Sequence, residues 1–139
     1  MKYLFTKRRF LRHLPVYPFI YPAFVFIVLL DIWIEIYHRI AFPCYGLPYL
    51  KRKEYIRIDR HKLKYLNIMQ KINCAYCGYT NGVLQYIVRI TSETEKYWCG
   101  IQHSKGENFI EPPHHKDFIA YNDKEAYIAE FESKKQKMI

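Results

Sequence analysis

Glycine is scarce, at five residues in 139. No Gly/Ser-rich tract and no single-residue run is present, which excludes a long flexible linker. No internal repeat occurs, so a solenoid is excluded as well. Acidic residues are the minority charge, 13 against 22 lysines and arginines, for a formal net charge of +9. The first thirteen residues contain no acid at all. No small-x-small cleavage site follows the apolar stretch near the N-terminus, which argues against a removed signal peptide. No nucleic-acid-binding motif appears and the basic blocks flank the apolar stretch, so nucleic-acid binding through residues 51–71 is the weaker reading of the basic balance.

What is present is one long apolar stretch. Leu14 to Leu30 is 17 residues without a charge, and tolerance of Asp31 and Glu35 extends it to about Phe42. A membrane-crossing helix needs roughly 20 apolar residues. Pro15, Pro18 and Pro22 crowd the first half, so regular helix is expected from about Pro22. Tyr17, Tyr21, Trp33, Tyr37, Tyr45 and Tyr49 lie around the ends, as interfacial aromatic residues do. Phe42-Pro43-Cys44-Tyr45-Gly46-Leu47-Pro48 reads as a turn.

The positive charge flanks this stretch on both sides. Lys2, Lys7, Arg8, Arg9 and Arg12 precede it; Lys51, Arg52 and Lys53 open the basic run that follows. Attraction to anionic headgroups is the expected consequence. Bases on both sides leave two membrane readings open, a single crossing and a re-entrant or interfacial segment with both ends on one face. Reduced cysteines, which a cytosolic setting preserves, favour a cytoplasmic C-terminal part.

Within the stretch, Asp31, Glu35 and His38 share a helical face at i, i+4 and i+7. Glu35 and His38 also have the Glu-x-x-His spacing of di-metal carboxylate sites, of which two are needed and one is present. A second metal site is therefore the weaker reading. A wet interfacial face, with Glu35 paired to Arg39 at i+4, is the stronger one.

After the turn, Tyr55-Ile56-Arg57-Ile58 alternates, as a short strand or extended arm does. Asp59 is a candidate cap for an amphipathic helix over Arg60–Ile72, with Leu63, Leu66, Met69 and Ile72 on one face. Gly78 and Asn81-Gly82 then read as turns. A further helix is expected over Val83–Tyr97, with Val83, Leu84, Ile87 and Val88 together, while the β-branched content leaves a strand open. In the tail, Glu111-Pro112-Pro113 is a loop and Asp123 a candidate cap for a last helix.

Four residues point to a metal. Cys74 and Cys77 form C-x2-C; Cys99 and His103 form C-x3-H. Two close pairs of soft and imidazole ligands suit one tetrahedral Zn²⁺, with iron less favoured. A redox-active Cys74–Cys77 pair and disulfides are the weaker alternatives, since no βαβ context surrounds the first. Cys77 is followed by Gly78 rather than His, which argues against covalent haem. His114 and His115 are further metal-ligand types, more often solvated at such a loop edge. His61 is a minor candidate beside them.

The text FPCYGLPYLKRKEYIRIDRHKLKYLN, KINCAYCGYTNG and TEKYWCGIQH resembles a family of small uncharacterised bacterial membrane-associated proteins. The likeness covers Phe42 to His103, over half the chain. It implies a bacterial membrane setting and joint service of Cys74, Cys77, Cys99 and His103, while Cys44 departs from the family's usual residue. It carries no activity.

The expected architecture is mainly α. A basic tail (1–13) precedes a transmembrane or re-entrant segment (14–42), a small zinc-stapled Cys3His domain (43–110) and a C-terminal loop and helix (111–139). The expected function is that of a membrane-anchored, zinc-binding structural or interaction module at the inner membrane, partnered by anionic lipid and by protein. The alternative is a membrane-bound metalloenzyme or redox protein acting on a lipid or hydrophobic substrate through Asp31, Glu35 and His38.

Overall fold

The computed structural model describes residues 14–137. The basic tail with Arg8 and Arg9 lies outside the described residues. The chain is mainly helical, and no strand is present among the described residues. Three helices dominate: α1 (Tyr17–Tyr45), α2 (Ile68–Trp98) and α3 (Lys124–Lys137). Two compact units are distinguished, one up to Val88 and one from Arg89 onward.

In the first unit, α1 runs 29 residues and includes Pro22 and Pro43. It starts at Tyr17, earlier than expected, because Pro18 sits in the first turn, where a missing N–H is harmless. It also runs through the anticipated turn at Pro43. It stops at Gly46, whose φ of 68° lets its N–H reach back to the Phe42 and Pro43 carbonyls.

α2 begins at Ile68, not Arg60. Asn67 Oδ1 accepts the Gln70 amide N–H and Gln70 Oε1 accepts the Asn67 amide N–H, both at 2.9 Å. This reciprocal capping box fixes the start. Asp59 makes no such cap, and residues 60–62 form only a 3-10 turn. Tyr55–Ile58 is an arm rather than a strand.

Nor does α2 break at Gly78 or Asn81-Gly82. Its glycines are there for close approach. A Cβ on Gly82 would meet the Ile56 Cα and the Tyr55 carbonyl oxygen at 2.8 Å, and one on Gly78 would meet the Arg57 carbonyl oxygen at 2.9 Å. The two residues, four apart, form a groove that receives the arm. Asn81 remains helical, its side-chain amide donating to the Cys77 carbonyl at 2.9 Å. The buried stripe is Val83, Tyr86 and Ile90; Leu84 and Val88 are exposed, contrary to the expected face.

Phe24 touches Tyr76 and Tyr79, and Asp31 touches Tyr79. Glu35 and His38 both touch Tyr86. The contact positions rise together, so α1 and the first part of α2 run in the same direction. The segment joining them therefore has to run back, and residues 49–57 do so between the two helices.

In the second unit, Gly100 ends α2 with φ 63°. The chain then crosses back on itself. The Gln102 amide N–H donates to the Ile119 carbonyl at 2.8 Å, and the Ile119 amide N–H to the Gly100 carbonyl at 2.9 Å. The Gln102 side chain adds bonds to the His115 and Phe118 carbonyls. Asp123 caps α3 as expected, its carboxylate accepting the Ala126 amide N–H at 2.9 Å.

Candidate functional site

Two polar constellations stand out, one in each unit. The first grows from the inner face of α1. Asp31, Ile34, His38, Ala41 and Phe42 are buried there, while Phe19, Phe26 and Trp33 on the other side are 77%, 70% and 69% exposed. Asp31, Glu35 and His38 do share the inner face, as their spacing implies. Arg52 forms an ion pair with Asp31, and the Tyr79 hydroxyl donates to the same carboxylate at 2.7 Å. Glu35 accepts from Arg39 at 2.9 Å, from Tyr49 at 2.8 Å and from Tyr86 at 3.0 Å.

His38 is wholly buried and sandwiched by rings. Tyr49 stacks on it at 4.2 Å, and Phe42 meets it edge-on at the same distance. The Leu50 amide N–H donates to His38 Nε2 at 3.2 Å. A backbone amide can only donate, so Nε2 is the bare nitrogen and the proton resides on Nδ1. Nδ1 is 2.9 Å from the Tyr86 hydroxyl. Hydrogen bonds then run in one sense, from His38 N–H to the Tyr86 oxygen and from the Tyr86 O–H to Glu35.

The phenols respond to this setting. Burial first, then the hydrogen bond to Glu35, raises the Tyr86 hydroxyl well above the ordinary tyrosine value. Burial and Asp31 push Tyr79 up to about 12. Both stay protonated and able to donate. The hydrogen bond to Asp31 is the main cause of a raised Arg52. Tyr49, Arg52, Tyr79 and Tyr86 were not foreseen from sequence, since each lies far along the chain from the carboxylate it serves. In this arrangement every named acceptor on Asp31, Glu35 and His38 already has a donor. Chemically it is a clasp, tying α1 to the return segment and α2.

The second constellation lies in the second unit. Glu95 sits on the last turns of α2. His114 Nε2 is 2.9 Å from Glu95 Oε2, and His115 Nε2 is 3.2 Å from Glu95 Oε1. The hydrogen bond to His114 leads in holding Glu95 below the ordinary carboxylate value. The Gln102–Ile119 crossing brings His103 over, its ring 5.2 Å from that of His115. Ligand atoms of Glu95, His103 and His115 lie within 4.8 Å of one another. This is the one grouping of three such side chains found among the described residues.

The Cys3His residues are divided between the two units. Cys74 and Cys77 belong to the first unit; Cys99 and His103 belong to the second. The expected turn at Gly78 and Asn81-Gly82 is absent, the stretch from Cys77 to Trp98 being α-helix. All four cysteines of the chain are free thiols, with Cys44, Cys77 and Cys99 exposed. Of the four, His103 alone joins other ligand types. Lys51 and Lys53 are exposed, as a headgroup-facing role requires, but Arg52 turns inward to Asp31.

No protein-family model, curated protein or solved structure matches the chain.

Proposed function

We propose that the protein is a membrane-anchored structural and interaction module, with α1 as its anchor. One observation carries this reading. The segment Leu14–Tyr45 is 32 residues long, and an 18-residue window within it has a mean hydropathy of 2.1 with only 11% of that window buried. A helix at the core of a soluble protein would hide most of that window. Here the outer face of α1 is left bare, an apolar surface of a kind that soluble monomers seldom expose.

The parallel run of α1 and α2 favours an in-plane or re-entrant anchor over a crossing. Phe24 lies at the level of Tyr76. Both helices rise about 1.5 Å per residue, so the start of α2 falls beside the N-terminal part of α1. The exposed bases Arg57, Arg60, Lys62 and Lys64 lead directly into that start. In an upright crossing they would have to pass the hydrocarbon to reach the opposite headgroup layer. With α1 in the interface, its outer face enters the acyl boundary and the bases stay with anionic headgroups. The free thiols suit the cytoplasmic face of the membrane. The bacterial setting rests on the family resemblance. A protein partner would dock on the exposed apolar stripe of Tyr65, Ile68, Met69 and Ile72.

A membrane-bound enzyme acting on a lipid or hydrophobic substrate is the second reading. The buried His38–Tyr86–Glu35 chain favours it, since ionisable residues at membrane depth are commonly functional.

Trp33 tests the anchor. In a Trp98→Phe chain mixed with anionic vesicles bearing brominated acyl chains, Trp33 fluorescence should be quenched. A soluble, monodisperse, unquenched protein would end the proposal. Single-thiol chains keeping either Cys44 or an introduced Val16→Cys should react with an impermeant thiol reagent from the same side. Reaction from opposite sides would establish a crossing instead.

A further inference from the structure

We infer that Glu95, His103 and His115 form an open site for one divalent transition-metal ion of the zinc class, with three protein ligands and a fourth position free for water or a small ligand. The inference concerns the second unit alone and is read in detergent, so it does not depend on the anchor.

The donor set comes first. Two imidazoles and one carboxylate are the ligand types of open, three-ligand zinc sites, whereas closed structural sites use four protein ligands. The spacing is compatible. Glu95 Oε1 and His115 Nε2 are 3.2 Å apart, close to the roughly 3.3 Å edge of a tetrahedron whose metal–ligand bonds are about 2.05 Å. The third ligand requires only a modest closing movement, because the ligand atoms span no more than 4.8 Å.

His115 is a buried, well-packed ligand. Its ring is 1% exposed and packs against Phe118 at 4.8 Å. Nε2 faces Glu95 and is the nitrogen an ion would take in place of that hydrogen bond. Nδ1, on the far side of the ring, takes no part in the site.

The surroundings complete the site. His114 holds the other carboxylate oxygen at 2.9 Å and so fixes the orientation of Glu95, as outer partners of metal ligands commonly do. His103 is exposed and borders a cleft of ≈ 220 Å³ shared with Lys105, Gly106, Phe109 and Glu111. Of the three ligands only His103 lines that cleft, which gives an ion a route to the His103 side of the site. His103 thus keeps the metal role its sequence context suggests, with different companions.

The test uses the full chain in detergent, titrated with Co²⁺ and analysed for zinc. The wild type should bind one equivalent, with a cobalt spectrum lacking thiolate charge-transfer bands. A chain with all four cysteines changed to Ser should bind equally well. His103→Ala, at an exposed position that should not disturb folding, should weaken binding about tenfold or more, and His114→Ala should weaken it about tenfold. No metal binding by the wild type would overturn the inference. So would a thiolate–cobalt spectrum, or binding lost on removing the thiols and kept in His103→Ala.

Discussion

The Tyr86 hydroxyl lies 2.9 Å from His38 Nδ1, joining residues 48 apart in sequence inside a buried pocket. It serves two groups at once, accepting from His38 and donating to Glu35 at 3.0 Å. Tyr86→Phe keeps the ring and deletes the shared atom, leaving the buried His38 N–H without an acceptor. Loss of about 2 kcal/mol is expected, the usual size for stranding a buried polar group. Chemical unfolding of the detergent-solubilised chain measures it, with exposed Tyr65→Phe as the control. Equal stability of the two variants would mean that the hydroxyl holds nothing together.

Asp31 is buried and relies on Arg52 and Tyr79. Arg52→Ala strands the carboxylate and should cost about 2–3 kcal/mol, less than a fully buried pair because the arginine is partly exposed. Adding Asp31→Asn should recover part of the loss, since the stranded charge is then gone. A double variant no more stable than Arg52→Ala would show that the charge was never the problem.

Gly82→Ala separates a helical groove from a turn. Alanine raises helix propensity by about 1 kcal/mol, so an open helical site would gain stability. Here the new methyl meets backbone of Ile56 and Tyr55 at 2.8 Å. Backbone cannot swing aside as a side chain can, and a net loss of about 1–3 kcal/mol is expected. Gly106, whose nearest neighbour would be 3.7 Å away, offers a comparison site that should tolerate alanine. A stabilised Gly82→Ala chain would remove the arm from the groove.

Periodicity made the inner face of α1 legible. Asp31, Glu35 and His38 do lie together, and the Glu35–Arg39 pair forms at i+4 as the spacing implies. Their partners were not legible, because Tyr49, Arg52, Tyr79 and Tyr86 arrive through a return segment and a parallel helix that no local pattern encodes. Gly78 and Gly82 misled for a definite reason. Glycine marks both turns and close approaches, and the choice between them depends on the arm laid across it. Asn67-x-x-Gln70 was a readable helix start, overshadowed by Asp59. His103 was legible as a ligand type, but Glu95 was hidden among ordinary helical acids, and His115 needed the Gln102–Ile119 crossing to reach it.

Tyr79 makes the clasp sensitive to alkali. Burial, then Asp31, raises its hydroxyl from the ordinary value of 10 to about 12. The folded chain therefore keeps this proton where the unfolded chain has released it. The associated stability is complete below pH 10 and is lost as pH rises through about 12. Tyrosinate absorbance should show one phenol titrating near 12, apart from the exposed tyrosines, and Tyr79→Phe should remove that late step. The same variant should lose less stability than the wild type between pH 10 and 12, because it has no proton to surrender in that window. An unchanged late step in Tyr79→Phe would assign it to another phenol, with Tyr86, raised by burial and Glu35, the next to replace.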